Sequence, residues 1–196
     1  MGLVLTTVAR ARRKAAFAAV SAEVVTDFLQ AAEDWVHSYC DRNFVLQNYS
    51  AIYNGKGGDT LYLKSWPVTA IVSCAITDDS GSVETLTPAT DLIYQAENGA
   101  VRFSPQSGAG FDEWPEGFQN IAVTYTAGHS VIPDAVQEAV TLKALCLFAE
   151  SGSDMNAALV SQQVGEANKT RNPAAIIDGW QKQVEALLAP YRRLEF

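Results

Sequence analysis

Histidine and cysteine are both scarce in this chain, with two of the first and three of the second among 196 residues. His37 and His129 share no metal-ligand spacing, which leaves no histidine-based metal centre to assemble; each is read as structural. Cys40, Cys74 and Cys146 lie far apart in apolar runs with no C-x-x-C between them. That pattern excludes a disulfide framework and fits reduced core thiols. Basic charge is also short. Fourteen Lys and Arg face twenty-two Asp and Glu, for a formal net charge of −8, which argues against a general nucleic-acid coat and a membrane surface. No stretch approaches the ~18 to 20 uncharged apolar residues of a membrane span.

Catalytic signatures are missing as well. The glycine-rich Asn54–Asp59 lacks the G-x-x-x-x-G-K-[ST] order and is expected to join two antiparallel strands, so no helix N-terminus is there to hold a phosphate. Asp78-Asp79-Ser80-Gly81-Ser82 lacks the alternating oxygens and distal glutamate of a calcium loop and reads as a plain turn. Gly128-His129-Ser130 matches no serine-hydrolase motif, and there is no G-x-S-x-G. Glu113, Trp114 and Glu116 read as solvated surface or subunit contact. Neither catalysis nor a cofactor is implied.

What is present is apolar content, at 48%, enough for a proper core. The basic residues are unevenly placed. Arg10, Arg12, Arg13 and Lys14 precede the first acid, Glu23, so the remainder carries ten basic against twenty-two acidic residues, a net of −12. A short amphipathic helix over residues 6–19, capped by Thr6 or Thr7, accounts for this run better than a transit peptide. Ser21 caps a second helix over 21–41, where Val25, Phe28, Leu29, Ala32, Trp35, Val36 and Tyr39 make one apolar stripe, expected to be buried.

Strand patterning follows over 44–128. Tyr49, Ala51 and Tyr53 lead to the glycine-rich turn and Leu61, Tyr62 and Leu63 return from it; Val68 to Ile76 alternate; Asn98-Gly99 signals a hairpin between Ile93 and Val101. Five to seven short antiparallel strands are expected, with Ser104–Asn120 as a loop. The organising stretch is Asn120–Ala149. Its strand ends at Gly128, and Pro133 and Asp134 start a helix over 133–150 so apolar that it must be covered on more than one side. Residues 151–172 read as a flexible loop, and 173–196 as a last helix ended by Pro190 with a free tail. The fold class is therefore α+β: a helical N-terminal part, a central small antiparallel β-sheet or sandwich, a buried apolar helix, and a C-terminal helix with an extended tail.

Several pieces, in order, resemble the head-to-tail connector proteins of tailed double-stranded DNA phages, also called adaptor or head-completion proteins. They are Ala31-Ala32-Glu33, Tyr39, Asp41-Arg42 and Asn43-Phe44 at the helix exit; Tyr53-Asn54-Gly55 through Leu61-Tyr62-Leu63; Trp66-Pro67-Val68 before a strand; and Val123 to Gly128 followed by Ile132-Pro133. The likeness covers about Ser21 to Glu150, within a connector core of residues 1–150; the loop at 151–172 and the basic first helix depart from it.

The resemblance implies a structural virion protein at the head–tail junction, made in the host cytoplasm. It implies a self-assembled ring of about twelve copies beneath the portal protein, extending a channel through which genomic DNA passes without sequence-specific binding, and offering a platform to a stopper or tail-completion protein. It also places portal binding in the C-terminal segment, at Trp180, Leu187, Leu188, Tyr191, Arg192, Arg193 and Phe196. There a Tyr-Arg-Arg run after a proline supplies aromatic anchors and forked, charge-assisted hydrogen bonds. An acidic body suits a conduit that must let DNA slide. The competing readings are a stopper or tail-terminator ring protein, which should lack the terminal helices, and a non-viral β-rich binding module with helical flanks.

Overall fold

The computed structural model describes residues 3–78, 80–151, 161–164, 167–170 and 173–192. The chain is α+β and divides into two compact units, Val45–Ser130 and Met1–Phe44 with Val131–Phe196.

The first unit is a β-sandwich. Strands β1 (Gln47–Gly55), β2 (Leu61–Tyr62), β3 (Val68–Thr77), β4 (Val83–Leu86), β5 (Leu92–Gln95), β6 (Ala100–Phe103) and β7 (Gly117–Ala127) form an antiparallel four-stranded sheet in the order β1-β7-β3-β4 and an antiparallel three-stranded sheet in the order β2-β6-β5. A short helix, α4 (Pro88–Asp91), links β4 to β5. The glycine-rich stretch after β1 is not a hairpin turn. β1 pairs with β7 and β2 with β6, so those glycines carry the chain from one sheet to the other. Hairpin patterning cannot separate the two outcomes, because both need a flexible link between alternating segments. The hairpin at Asn98-Gly99 forms as expected: Gly99 has a φ of 70° and the Asn98 side chain accepts from the Ala100 amide at 3.0 Å.

The inward residues of the two sheets share one core. Tyr53, Cys74, Ile76, Ile121, Val123 and Tyr125 face Leu61, Leu92, Val101 and Phe103. Two buried tyrosines tie the connection to it: the Tyr53 and Tyr125 hydroxyls lie 3.3 Å apart and accept from the Lys64 and Ser65 amides. Gly128 ends β7 with a φ of 114°, where an added Cβ would sit 2.4 Å from the Val45 carbonyl oxygen, a position only glycine fills. The loop before β7 is less peripheral than the sequence suggests. Trp114 is 2% exposed, packs on Phe103 with ring centroids 4.6 Å apart and donates from Nε1 to the Val101 carbonyl at 3.2 Å. An isolated indole flanked by acids reads as surface until its partners across the sandwich are known.

The second unit is helical. Thr7 caps α1 (Val8–Ala11), accepting from the Arg10 amide. The single helix expected over 6–19 is instead α1 and α2 (Ala15–Ala18), separated by a tight turn in which the Arg13 and Lys14 amides donate to the Arg10 and Ala11 carbonyls. Like charges at i and i+4 disfavour one continuous helix. Arg10 and Lys14 are drawn to acids on α5 (Asp134–Glu150): Arg10 to Asp134 at 2.8 Å, and Lys14 to Glu138. Arg12 donates to the Val20 carbonyl. Three of the four clustered cations thus serve the unit itself.

α3 (Ala22–Cys40) is capped by Ser21 and ended by Asp41 at a left-handed φ of 48°. Val25, Leu29, Ala32 and Val36 are fully buried. Trp35 is only half-buried, because it lies at the edge of the stripe, where it stacks on Tyr39 (4.8 Å) and takes the Lys143 ammonium over its ring at 4.4 Å. An aromatic pair contributes about 0.5 to 1.5 kcal/mol and a cation–π contact about 0.5 to 1. Trp35→Ala is therefore expected to cost about 1 to 3 kcal/mol in denaturant unfolding; a loss above about 4 would contradict this placement.

α5 is buried along most of its length, from Val136 to Ala149, and packs against both α3 and α6 (Pro173–Leu188). Lys143, nine-tenths buried, reaches Gln181 at 3.1 Å. Within the 151–172 stretch expected to be a loop, β8 (Ser161–Val164) and β9 (Ala167–Thr170) pair antiparallel. The segments Ser161–Val164 and Ala167–Thr170 contain too few apolar residues to read as strands from sequence.

Candidate assembly surfaces

The two histidines belong to different units. In the helical unit the His37 ring nitrogen Nδ1 lies 3.0 Å from the Arg42 carbonyl, whereas His129 stands in the turn after β7, where its carbonyl accepts from the Leu46 amide. Cys40, Cys74 and Cys146 are buried free thiols, pushed by desolvation to about 11, 12 and 11, which makes them poor nucleophiles. Among the described residues no group of three His, Cys, Asp or Glu side chains is placed to hold a metal ion. Nor is any described helix long and apolar enough to cross a membrane.

The Asp78 carboxylate accepts from the Ser80 hydroxyl (2.6 Å) and the Ser80 and Ser82 amides. These bonds, the Ser80 hydroxyl foremost, hold its pKa below the usual carboxylate range, and they commit its Oδ1 to the turn. Beside it a cavity of about 280 Å³ is lined by Ile76, Phe111 and the acids Asp78, Glu84 and Glu116, a charge that repels anionic ligands.

The C-terminal residues expected to bind a portal divide into several groups. Leu188 is fully buried and belongs to the core of the helical unit, as does Val184. A helical stripe contains both core and surface positions, and sequence alone places all of them on one face. Trp180 and Leu187 are half-buried. Tyr191 and Arg192 are not a free tail: Tyr191 meets the Phe44 ring edge-on at 5.9 Å, and the Arg192 guanidinium lies 5.4 Å above the Tyr39 ring. Arg193 and Phe196 lie outside the described residues.

A second surface lies on the outer faces of the two sheets. The outward side chains of the four-stranded sheet include Ser50, Ile52, Ala75, Ala122, Thr124 and Val83, none ionisable, and Ile52, Val72, Val83 and Phe118 are 58 to 80% exposed. On the three-stranded sheet Tyr62 and Ile93 are half exposed, and neighbouring Arg102 is paired with Asp59. The signal was legible: β1, β3 and β7 contain no Asp, Glu, Lys or Arg, in a chain where acids dominate. Exposed sheet faces in soluble proteins ordinarily alternate apolar with polar or charged residues.

Residues 7–194 match the family model described as head completion protein. The chain belongs to the head completion protein family. That membership makes it a structural protein of a phage-like head–tail particle. No curated protein sequence matches it.

Among solved structures, this head completion protein is similar to a chain in the neck of an empty GTA particle computed with C6 symmetry (TM-score 0.56, 13% identity, covering 100% of this chain and 94% of that one). It is similar to a chain in the neck of a native GTA particle computed with C12 symmetry (0.53, 13%, 100% and 96%). A third likeness is to a chain in the virion of a native gene transfer agent particle (0.51, 15%, 98% and 91%). At these identities the likeness is one of fold, and it extends through the terminal helices as well as the sandwich.

Proposed function

We propose that this head completion protein is a ring adaptor between the capsid portal and the tail or stopper, about twelve copies lengthening the channel through which DNA leaves. The observation that carries this reading is the family match from residue 7 to residue 194. The symmetric necks that contain proteins of similar fold support a ring. The well-built helical unit favours an adaptor over a stopper. Two cations of its basic N-terminal run, Arg10 and Lys14, are engaged by Asp134 and Glu138, and the net charge of −8 suits a conduit along which DNA slides.

Portal docking is assigned to the half-buried Trp180, Leu187 and Tyr191 and exposed Arg192, with Arg193 and Phe196 beyond them; Leu188 supports the helix from beneath. Deleting Pro190–Phe196 is expected to leave a folded protein by circular dichroism whose binding to purified portal rings falls at least tenfold. Portal binding at the level of the full chain would remove the C-terminal assignment.

A further inference from the structure

We propose that neighbouring copies in the ring meet through the two opposite faces of the β-sandwich. The outer face of the four-stranded sheet, around Ile52, Val72 and Phe118, receives the outer face of the three-stranded sheet, around Tyr62 and Ile93, of a second copy of this chain. This rests on the ring reading above and names its contact.

Charge selects these faces. Copies carrying −8 each repel unless they touch where carboxylates are absent. β1, β3 and β7 present such a face, and on the opposite sheet Arg102 is already matched by Asp59. Exposure agrees: Ile52 is 59%, Val72 58% and Phe118 80% exposed on one side, with Tyr62 at 51% and Ile93 at 50% on the other.

The backbone next to Phe118 is also held in place. Gln119 beside it adopts a left-handed φ of 52°, kept there by its amide donating to Asn54 Oδ1 at 2.7 Å. The Asn120 side chain bridges the Gly55 amide (2.8 Å) and the Pro115 carbonyl (3.0 Å). A strained backbone so pinned points to a functional position, and a backbone already held in place loses little freedom on docking.

Geometry selects the symmetry. The sheets turn their inner faces to one core, so the two outer patches point in opposite directions. A patch pairing with itself yields a closed dimer, whereas two unlike patches on opposite sides join copies head to tail, the arrangement of a ring.

The test uses Val72→Cys, Ile93→Cys and the double variant, assembled on portal rings and treated with a short bismaleimide. The native thiols are buried and do not compete. The double variant is expected to give a ladder of covalent multimers, and each single variant only monomer. Dimers from Val72→Cys alone, or no ladder although sedimentation shows the ring, would overturn the proposed contact while leaving the ring reading intact. If the unmodified protein forms no ring on portals, the ring reading fails and the contact with it. Phe118→Asp serves as a companion: at unchanged Tm, ring yield is expected to fall at least tenfold, and unchanged yield counts against the contact.

Discussion

Trp114→Ala will destabilise the β-sandwich by about 3 to 5 kcal/mol, the usual cost of emptying a large aromatic site. The indole is 2% exposed, lies 4.6 Å from Phe103 and satisfies the Val101 carbonyl. Its removal opens a cavity and leaves that carbonyl without its donor. The Trp114 backbone amide, which donates to the Gly58 carbonyl at 2.8 Å, is retained in alanine, so the loss is that of the side chain alone. Trp114→Phe keeps most of the volume and loses the hydrogen bond, and is expected to cost about 1 to 2 kcal/mol. Denaturant unfolding followed by tyrosine and tryptophan fluorescence measures both. An alanine effect under 1 kcal/mol would mean the loop before β7 is surface after all.

The second large effect is at Glu33. This carboxylate is 5% exposed and, among the described residues, is in no ion pair; it accepts from the amides of Val4, Leu5 (2.8 Å) and Thr6 (3.1 Å). A buried charge is tolerated when several donors converge on it. Here they fasten the segment before α1 to α3. Glu33→Ala is expected to cost about 2 to 4 kcal/mol, with faster hydrogen exchange confined to the amides of Val4, Leu5 and Thr6. Glu33→Gln retains one accepting oxygen and should lose about half as much. Equal exchange rates in all three proteins would show that the segment is held by other contacts.

Glu33 also shows what sequence can and cannot convey. As part of the Ala31-Ala32-Glu33 run it contributes to the family likeness, but nothing in the sequence says its oxygens face backbone amides nearly thirty residues away. The helix caps at Ser21 and at Thr6 or Thr7, the helix end near Asp41, the hairpin at Asn98-Gly99 and the stop at Gly128 were legible because each depends on chemistry within a few residues. The break between α1 and α2, the burial of Trp114 and the crossing from β1 to β2 depend on partners far along the chain, and local pattern is silent about those. For the docking segment, the stripe in α6 was visible, while the split between buried Leu188 and half-buried Leu187 required the position of α5. The uncharged sheet face was readable in β1, β3 and β7, had the absence of charge been weighed as well as the alternation.

This head completion protein is proposed to assemble as a ring on the portal. Light scattering of the purified protein, alone and then mixed with portal rings, tests it most directly. The proposed ring requires a monomer or small oligomer that joins the portal at one copy per portal subunit. A fixed small oligomer whose mass is unchanged by the portal would contradict it.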